Sequence, residues 1–364
     1  MKKKILILTS QRPETGGGHR SCSGAIKNAI LELNPDVEVN DFDSMEFFPG
    51  YTGEEKGYTA FTTRYRFFYK CFFEFTSFFR GFFNYILYKG IFKQFKIFIQ
   101  EYKPDIILSV HPYMVGSIRL CLRKIKSNIP FYTCIIDLVK HSRLWHDKNC
   151  VITFVPTKKM YDLLLKKGFK KERLVHSGFP INEKFSNINR MPKTEISIPN
   201  ILMVSPSLKR NKATLDFILA ALKHNVNLTV VTGNNTNLKK YLDNKLFGIK
   251  NVTVFGYVYD MNKRLSEADV LISKAGPNMI LEAVKMCVPV IITGHILGQE
   301  EKNYQYIVEN QYGLKCDSPK QLYSTLNLLF ENNYELLKKI SHNQQSCNDI
   351  SGGKIIAKHL LEAL

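Results

Sequence analysis

No two of the eight cysteines in this sequence are spaced as C-x-x-C, which excludes zinc ribbons and redox-active dithiol motifs. No apolar run approaches the roughly 18 residues that a membrane-spanning helix needs. The lysines at the N-terminus precede an apolar stretch too short for a signal peptide, and no small-residue cleavage site follows it. These absences predict a cytoplasmic protein whose thiols are reduced.

Acidic residues are in short supply. The chain has 51 Lys and Arg against 32 Asp and Glu, a net charge of +19. Such a charge attracts nucleic acid, anionic lipid head groups or phosphorylated substrates. No nucleic-acid recognition motif accompanies the charge, so we expect no nucleic-acid partner and favour anionic membrane lipids.

Strand-length apolar runs alternate with helical patterns along most of the 364 residues, which predicts parallel sheets covered on both faces. The pattern fades over 183–199, where Asn, Ser, Pro and Lys dominate, so we predict an N-terminal domain over 1–182 and a C-terminal domain over 200–364. The final helices can pack back on the N-terminal domain. Two doubly wound α/β domains are expected to face each other across a cleft at the carboxyl ends of their strands, where such sheets bind ligands. The predicted strands are 4–9, 37–42, 106–110, 131–136, 151–155, 201–204, 228–231, 252–255, 270–272 and 288–292.

An aromatic-basic segment over 58–98 breaks this alternation. It holds 18 Phe or Tyr and seven Lys or Arg but a single acid, Glu74. A helix pair packed on the first sheet would need one apolar face, and the rings outnumber what one face requires. We therefore favour an amphipathic region lying at a membrane interface, with rings at the acyl boundary and cations on head groups.

Two motifs in the first half follow predicted strands. Residues 15–20, Thr-Gly-Gly-Gly-His-Arg, follow the first strand, where glycines allow close backbone approach to a ligand. His19 is a candidate general base, because its ordinary pKa lies near neutrality. Asp137 follows another apolar strand and precedes His141, the sole tryptophan Trp145 and His146; a capped turn is the alternative interpretation of this group.

Two motifs in the second half also follow strands. Residues 273–278, Ser-Lys-Ala-Gly-Pro-Asn, place a proline in the first turn of a helix, whose N-terminus favours a diphosphate. Glu282 on that helix is suited to ribose hydroxyls. Residues 294–300, Gly-His-Ile-Leu-Gly-Gln-Glu, with Asn303 beyond them, hold donors and acceptors suited to a polyol.

Taken in order, these motifs resemble those of the monogalactosyldiacylglycerol synthase and processive diacylglycerol glucosyltransferase group within glycosyltransferase family 28. The resemblance covers about residues 3–315, and it also draws on Pro104-Asp105, Pro156-Thr157, Gly178-Phe179-Pro180 and Phe255-Gly256-Tyr257-Val258. It implies a GT-B fold and an inverting transferase that moves a hexose from UDP-glucose or UDP-galactose to the hydroxyl of diacylglycerol. It implies no cofactor and no obligatory catalytic metal, and a peripheral location on the membrane surface.

The resemblance also implies roles for individual residues. His19 would deprotonate the acceptor hydroxyl and Asp137 would lie beside the reacting centre. The acceptor side would include Gly17, Gly18, His141 and Trp145. The implied donor-binding residues are Gly233, Tyr257, Val258, Lys274, Gly276, Pro277, Asn278, Glu282, Gln299, Glu300 and Asn303.

One loop departs from the family pattern. After the first strand of the second half, the family has glycines near the donor phosphates, whereas residues 205–211 here contain none. Lys209 and Arg210 are candidates to replace the backbone amides as phosphate contacts. Two alternatives therefore stay open: a related transferase with another lipid acceptor, such as a polyprenyl-linked sugar, or a catalytically weak nucleotide-sugar sensor or membrane-binding protein.

Overall fold

A computed structural model describes residues 2–11, 17–49, 65–186, 195–204 and 211–364. The chain divides into two compact units. The first comprises residues 1–183, 297–299 and 348–364, and the second comprises residues 184–296 and 300–347.

The first unit is built on a six-stranded, wholly parallel sheet. Its strands are β1 (Lys4–Thr9), β2 (Glu38–Asp43), β3 (Ile106–Ser109), β4 (Phe131–Cys134), β5 (Thr153–Val155) and β6 (Leu174–His176). Its helices, numbered along the chain, are α1 (Gly18–Leu33), α2 (Arg66–Phe78), α3 (Arg80–Tyr102), α4 (Pro112–Lys124), α5 (Lys158–Lys166) and α13 (Gly352–Glu362). Short 3-10 turns occupy Ser44–Phe47, Arg143–Trp145 and Lys171–Arg173.

The order of strands in this sheet is β2-β1-β3-β4-β5-β6. The chain runs from β1 to β2 on one side and then crosses to β3 on the other, so the topological switch point lies between β1 and β3. Strand β1 is buried from Ile5 through Thr9, as expected of a strand covered on both faces. In α1 the buried residues Cys22, Ala25, Ile26 and Ala29 recur at helical spacing and form the face that meets the core.

The second unit repeats this architecture. Its strands are β7 (Asn200–Val204), β8 (Asn227–Val231), β9 (Val252–Phe255), β10 (Val270–Lys274), β11 (Val290–Gly294) and β12 (Gly313–Lys315). The helices are α6 (Glu183–Ser186), which begins at the unit boundary, then α7 (Asn211–Ala221), α8 (Thr236–Lys245), α9 (Met261–Glu267), α10 (Pro277–Lys285), α11 (Asn303–Glu309) and α12 (Pro319–Gln345). The order β12-β11-β10-β7-β8-β9 is parallel throughout and places the switch point between β7 and β10.

All ten predicted strands are confirmed, with ends shifted by a few residues. Strands β6 (Leu174–His176) and β12 (Gly313–Lys315) were not predicted. The predicted doubly wound α/β architecture is present in each unit. Part of the aromatic-basic segment, residues 58–64, lies outside the described residues, as does most of the predicted linker.

The described part of the aromatic-basic segment forms α2 and α3. Tyr69, Phe73, Ile91, Phe95 and Ile99 are buried against the first unit. Other large apolar side chains of the two helices and their junction are exposed, namely Phe67, Phe68, Phe72, Phe75, Phe78, Phe79, Phe82, Tyr85, Ile86 and Ile97. One side of this helix pair therefore packs on the unit while the other presents rings to the surroundings. None of the helices in the described ranges is long and apolar enough to cross a membrane.

The last helix belongs to the first unit. Helix α13 packs against α1, and Nε2 of His176 and Oδ1 of Asp349 are 2.7 Å apart just before it. Gly352 begins the helix against the backbone of Gly178, where a side chain would collide with the Gly178 carbonyl oxygen.

Candidate active site

His19 occupies the first turn of α1, the helix that follows β1 in the chain. Gly17 caps the helix with φ of 68°, a left-handed conformation that glycine adopts without steric cost. The Nδ1 atom of His19 lies 2.7 Å from the carbonyl oxygen of Val110, the residue that follows β3. The topological switch point thus holds the predicted base between the two strands that flank it.

The protonation state of His19 follows from these contacts. A carbonyl oxygen can only accept, so Nδ1 carries the proton and Nε2 is left as the acceptor. Burial lowers the pKa of His19 to about 4, although the bond to Val110 acts in the opposite direction. At neutral pH the imidazole is therefore neutral and able to take up a proton.

Asp137 lies three residues beyond β4 and is buried. Its Oδ2 accepts a hydrogen bond of 2.8 Å from the indole Nε1 of Trp145. The Trp145 ring is itself buried, and its centroid is 6.5 Å from that of His19. Trp145 therefore supports Asp137 from within the unit. Ser142 is the N-cap residue of the 3-10 turn that carries Trp145, and its Oγ accepts from the backbone N–H of Leu144.

His111 was missed in the sequence analysis. It is the N-cap residue of α4, it is buried, and its ring centroid is 4.7 Å from that of His19. Burial and then the neighbouring His19 hold the pKa of His111 well below its usual value. Its position directly after a strand of the first half, where Asp137 also lies, was the signal that could have identified it.

His141, predicted on the acceptor side, pairs with His146 through their Nε2 atoms, which are 2.6 Å apart. Burial lowers the pKa of His141 to about 4 and that of His146 to about 3. The backbone carbonyl of His146 also accepts a 2.9 Å bond from Arg80 at the start of α3. The pair thus joins the loop after Asp137 to the aromatic helices.

In the second unit the two predicted motifs meet at the carboxyl ends of β10 and β11. Lys274 Nζ and Glu300 Oε1 form an ion pair of 2.6 Å, and Glu300 Oε2 accepts from the backbone N–H of Ile296 at 2.8 Å. Asn303 donates to the carbonyl of Ala275 at 2.8 Å. Residues about 25 positions apart in sequence therefore form one polar cluster around the start of α10.

Gly276 caps α10 and Pro277 is its first residue. A side chain at position 276 would approach Lys274 Nζ to 3.1 Å, so glycine keeps the ammonium close to the helix start. Asn278 follows in the first turn. The N-terminus of the helix and the adjacent ammonium both favour an anion at this point.

Glu282 is buried on α10, and burial raises the pKa of its carboxyl to about 8. The group is therefore largely protonated at neutral pH, when it can donate as well as accept a hydrogen bond. A protonated carboxyl therefore matches a hydroxyl group, which also donates and accepts, better than an ionised carboxylate, which only accepts.

The remaining predicted donor residues are placed as follows. Gly233 follows β8 with φ of 60°, and no atom lies within 4 Å of the position a side chain would take. Tyr257 and Val258 follow β9, with Tyr257 exposed and Val258 half-buried. Gln299 groups with the first unit, unlike its neighbour Glu300. Lys209 and Arg210 lie outside the described residues.

The family model for monogalactosyldiacylglycerol synthase matches residues 19–181, and the model for the C-terminal domain of glycosyltransferase family 28 matches residues 206–352. The chain belongs to this glycosyltransferase group. The family resemblance expected from the motifs is thereby confirmed.

Relatives of this family 28 chain include monogalactosyldiacylglycerol synthase 3 of Arabidopsis thaliana, 29% identical over 94% of this chain and 77% of that protein. The processive diacylglycerol beta-glucosyltransferase of Staphylococcus aureus strain Newman is 27% identical over 94% of this chain and 88% of that protein. The crystal structure of Acinetobacter baumannii MurG superposes with a TM-score of 0.61 at 13% identity and covers the whole of both chains. This likeness confirms the GT-B fold.

Within the described ranges, no group of three or more His, Cys, Asp or Glu side chains is arranged to hold a metal ion.

Proposed function

We propose that this protein is an inverting glycosyltransferase that moves glucose or galactose from a UDP-sugar to the hydroxyl of diacylglycerol at a membrane surface. The observation that carries the proposal is His19, held at the switch point of the first sheet with Nδ1 on the Val110 carbonyl and Nε2 left as acceptor. The named activities of the two curated relatives, a monogalactosyldiacylglycerol synthase and a diacylglycerol glucosyltransferase, supply the substrate classes.

In the proposed reaction the acceptor oxygen attacks the anomeric carbon of the sugar. His19 Nε2 takes the hydroxyl proton as the new carbon–oxygen bond forms and the bond to the β-phosphate breaks. The electron pair of that bond leaves with UDP. Attack from the face opposite the leaving group inverts the anomeric carbon, and general-base assistance of this kind typically contributes about 10²–10⁴-fold.

The second unit would stabilise the departing UDP. Its leaving oxygen gains negative charge, and the start of α10 with Lys274 offers positive charge there. The buried, largely protonated Glu282 is suited to the ribose, while Gln299 and Glu300 are suited to the hexose. The proposed reaction uses no metal, and transfer is expected to persist in the presence of EDTA.

Membrane attachment is the second part of the proposal. The exposed rings of α2 and α3 share these helices with exposed cations, because Lys89, Lys93 and Lys96 of α3 are all exposed. Rings entering the acyl boundary beside cations on anionic head groups would hold the protein on the surface without a span. The acceptor diacylglycerol resides in that same layer.

Lipid-product analysis tests the transfer. The full chain is incubated with diacylglycerol vesicles and either radiolabelled UDP-glucose or radiolabelled UDP-galactose, with H19A in parallel. A labelled glycosyl-diacylglycerol from the wild-type chain alone is the expected result. Folded, vesicle-bound protein that yields no such product with either donor would refute the assignment. In that case, binding of the UDP-sugar without turnover would indicate a nucleotide-sugar sensor. Transfer of label to an added polyprenyl-linked sugar would indicate a related transferase with that acceptor.

Vesicle sedimentation tests the attachment. The double variant F78S/F82S removes two rings that are 70% and 63% exposed. It should lose most of its binding to vesicles containing anionic lipid, whereas L328S, which changes an exposed residue of α12, should bind like wild type. Equal binding by both variants would show that the aromatic helices are not the membrane surface.

A further inference from the structure

Residues 297–299, which follow β11 in the chain, group with the first unit and lie against helix α2. The hydroxyl of the buried Tyr69 on α2 donates to Oε1 of Gln299 at 3.2 Å. One turn further along α2, the ring of Phe73 lies against Gly298, whose φ of 87° favours glycine. A side chain at position 298 would come within 3.2 Å of that ring, so glycine lets the segment lie close to the helix.

The carboxamide of Gln299 is held at both of its ends. Its Nε2 lies 3.4 Å from Oδ1 of Asp137. A carboxylate accepts hydrogen bonds but does not donate them, so the amide N–H groups face Asp137 and Oε1 faces the Tyr69 hydroxyl. The last side-chain torsion of a glutamine has only broad preferences, so one long bond to Asp137 would leave the amide free to turn. The second bond, from Tyr69, fixes its direction.

Helix α2 also supports the loop that carries Asp137. Glu74 and Lys140 form an ion pair of 2.6 Å. The Oγ atoms of Ser77 and Ser142 are 3.0 Å apart and share a hydrogen bond. The loop after β4 and the carboxamide therefore rest on one helix through separate contacts, and this helix sets the distance between them.

We propose that Tyr69 is a positioning residue for sugar transfer, because its hydroxyl holds the carboxamide of Gln299 in the direction that faces Asp137. The inference rests on the proposed function, since it takes the reacting centre to lie beside Asp137. An amide has two N–H groups and two oxygen lone pairs, so Gln299 can use one of each for hydroxyls of the hexose. A turned amide would displace the sugar from the line of attack, and a misplacement of about 1 Å can cost about 10²-fold in rate.

Initial rates of glycosyl-diacylglycerol formation on vesicles test the inference. Y69F removes the hydroxyl but keeps the ring, and its kcat should fall about 10-fold. Its binding to vesicles should be unchanged, as should its binding of UDP by calorimetry, because UDP lacks the hexose. T76V is the matched control, since Thr76 is another buried residue of α2 and its hydroxyl donates to the backbone carbonyls of Phe72 and Phe73. T76V should keep the wild-type kcat.

A double-mutant cycle distinguishes positioning from a general loss of structure. If Tyr69 acts through Gln299, Y69F should lower kcat by less than about 2-fold in a Q299A chain, because the amide that it directs is gone. Equal fold losses from Y69F in the wild-type and Q299A chains would overturn the inference. A Y69F kcat equal to that of wild type, or a T76V loss equal to that of Y69F, would overturn it too.

The outcomes also separate this inference from the proposed function. Each of the contrary results above leaves the transferase assignment intact, since the wild-type chain still forms product in those experiments. A folded, vesicle-bound wild-type chain that forms no glycosyl-diacylglycerol with either donor overturns both.

Discussion

The indole N–H of Trp145 donates to the carboxylate of Asp137 at 2.8 Å, and both side chains are buried. The bond fixes the direction of a carboxylate that lies on the same edge of the first sheet as His19. Trp145, the only tryptophan of the chain, therefore holds a predicted catalytic residue in place and is not exposed to lipid.

W145F keeps an aromatic ring but removes this donor. We expect the free energy of unfolding to fall by about 1–3 kcal/mol, because Asp137 loses a hydrogen bond in a buried place. The kcat should fall about 10-fold or more, since a small displacement of a group near the reacting atoms is costly. UDP binding by calorimetry should be unchanged. A variant with wild-type kcat would show that Asp137 needs no support from Trp145.

H19A removes the proposed base. Transfer to diacylglycerol should fall by about a hundredfold or more, in keeping with the usual contribution of general-base catalysis. The measurement is the initial rate at saturating donor, accompanied by a thermal melt to confirm folding. H224A, which replaces another histidine of lowered pKa far along the chain on the second unit, should keep the wild-type rate. Activity of H19A within a few fold of wild type would exclude His19 as the base.

The pH dependence of kcat/KM should follow the lowered pKa of His19. The imidazole must be unprotonated to act as a base, and it is so above about pH 4. We therefore expect activity to persist through pH 6 and to decline only as the pH falls towards about 4. UDP binding measured over the same range serves as a check of site integrity. Loss of half the activity near pH 6.5, the ordinary pKa of histidine, would show that burial does not lower the pKa of His19.

K274A removes the ammonium that pairs with the buried Glu300 carboxylate and leaves that carboxylate bonded to the backbone N–H of Ile296. The free energy of unfolding should drop by about 1–3 kcal/mol, and UDP should bind more weakly because a cation beside α10 is gone. K239A breaks an ion pair of similar length with Asp243 on an exposed helix surface, and should cost less than about 0.5 kcal/mol. Equal losses in the free energy of unfolding would show that the Lys274–Glu300 pair contributes no more to stability than an exposed surface pair.

E282Q tests the raised pKa of Glu282. The folded state keeps a proton up to about pH 8, whereas the unfolded state releases it near pH 4.5, the ordinary pKa of a glutamate carboxyl. Stability from this group therefore falls as the pH rises through that window, and the amide removes the effect. The Tm of E282Q minus that of wild type should grow between pH 5 and pH 9. The matching change in the difference between their free energies of unfolding should be at least about 1 kcal/mol. A Tm difference that does not change with pH would show that the pKa of Glu282 is not raised, as expected if its carboxyl were in contact with water.

Sequence patterns were sufficient for the strands, because both units are built on parallel sheets whose buried apolar runs are long enough to recognise. They also placed His19, Asp137 and the start of α10 after strands, and the structure has them there; the roles of these residues stay predictions. The order of the motifs then identified the family.

The contacts between motifs could not be predicted in the same way. The Lys274–Glu300 pair joins loops after two different strands, and the Trp145–Asp137 bond depends on the path of a 3-10 turn. Such geometry is set by tertiary packing, which periodicity does not report. The exposure of Tyr257 is another example, because strand and turn patterns do not reveal which rings the fold leaves uncovered.

The return of α13 to the first unit affects how the chain can be made and dissected. A fragment that stopped at residue 186 would leave the face of α1 that meets α13 bare, and His176 would lack Asp349. During synthesis the first unit must likewise wait for the final 17 residues, 348–364, to leave the ribosome before its packing is complete. The face of α1 that meets α13 therefore stays uncovered for the whole time that the second unit is being translated.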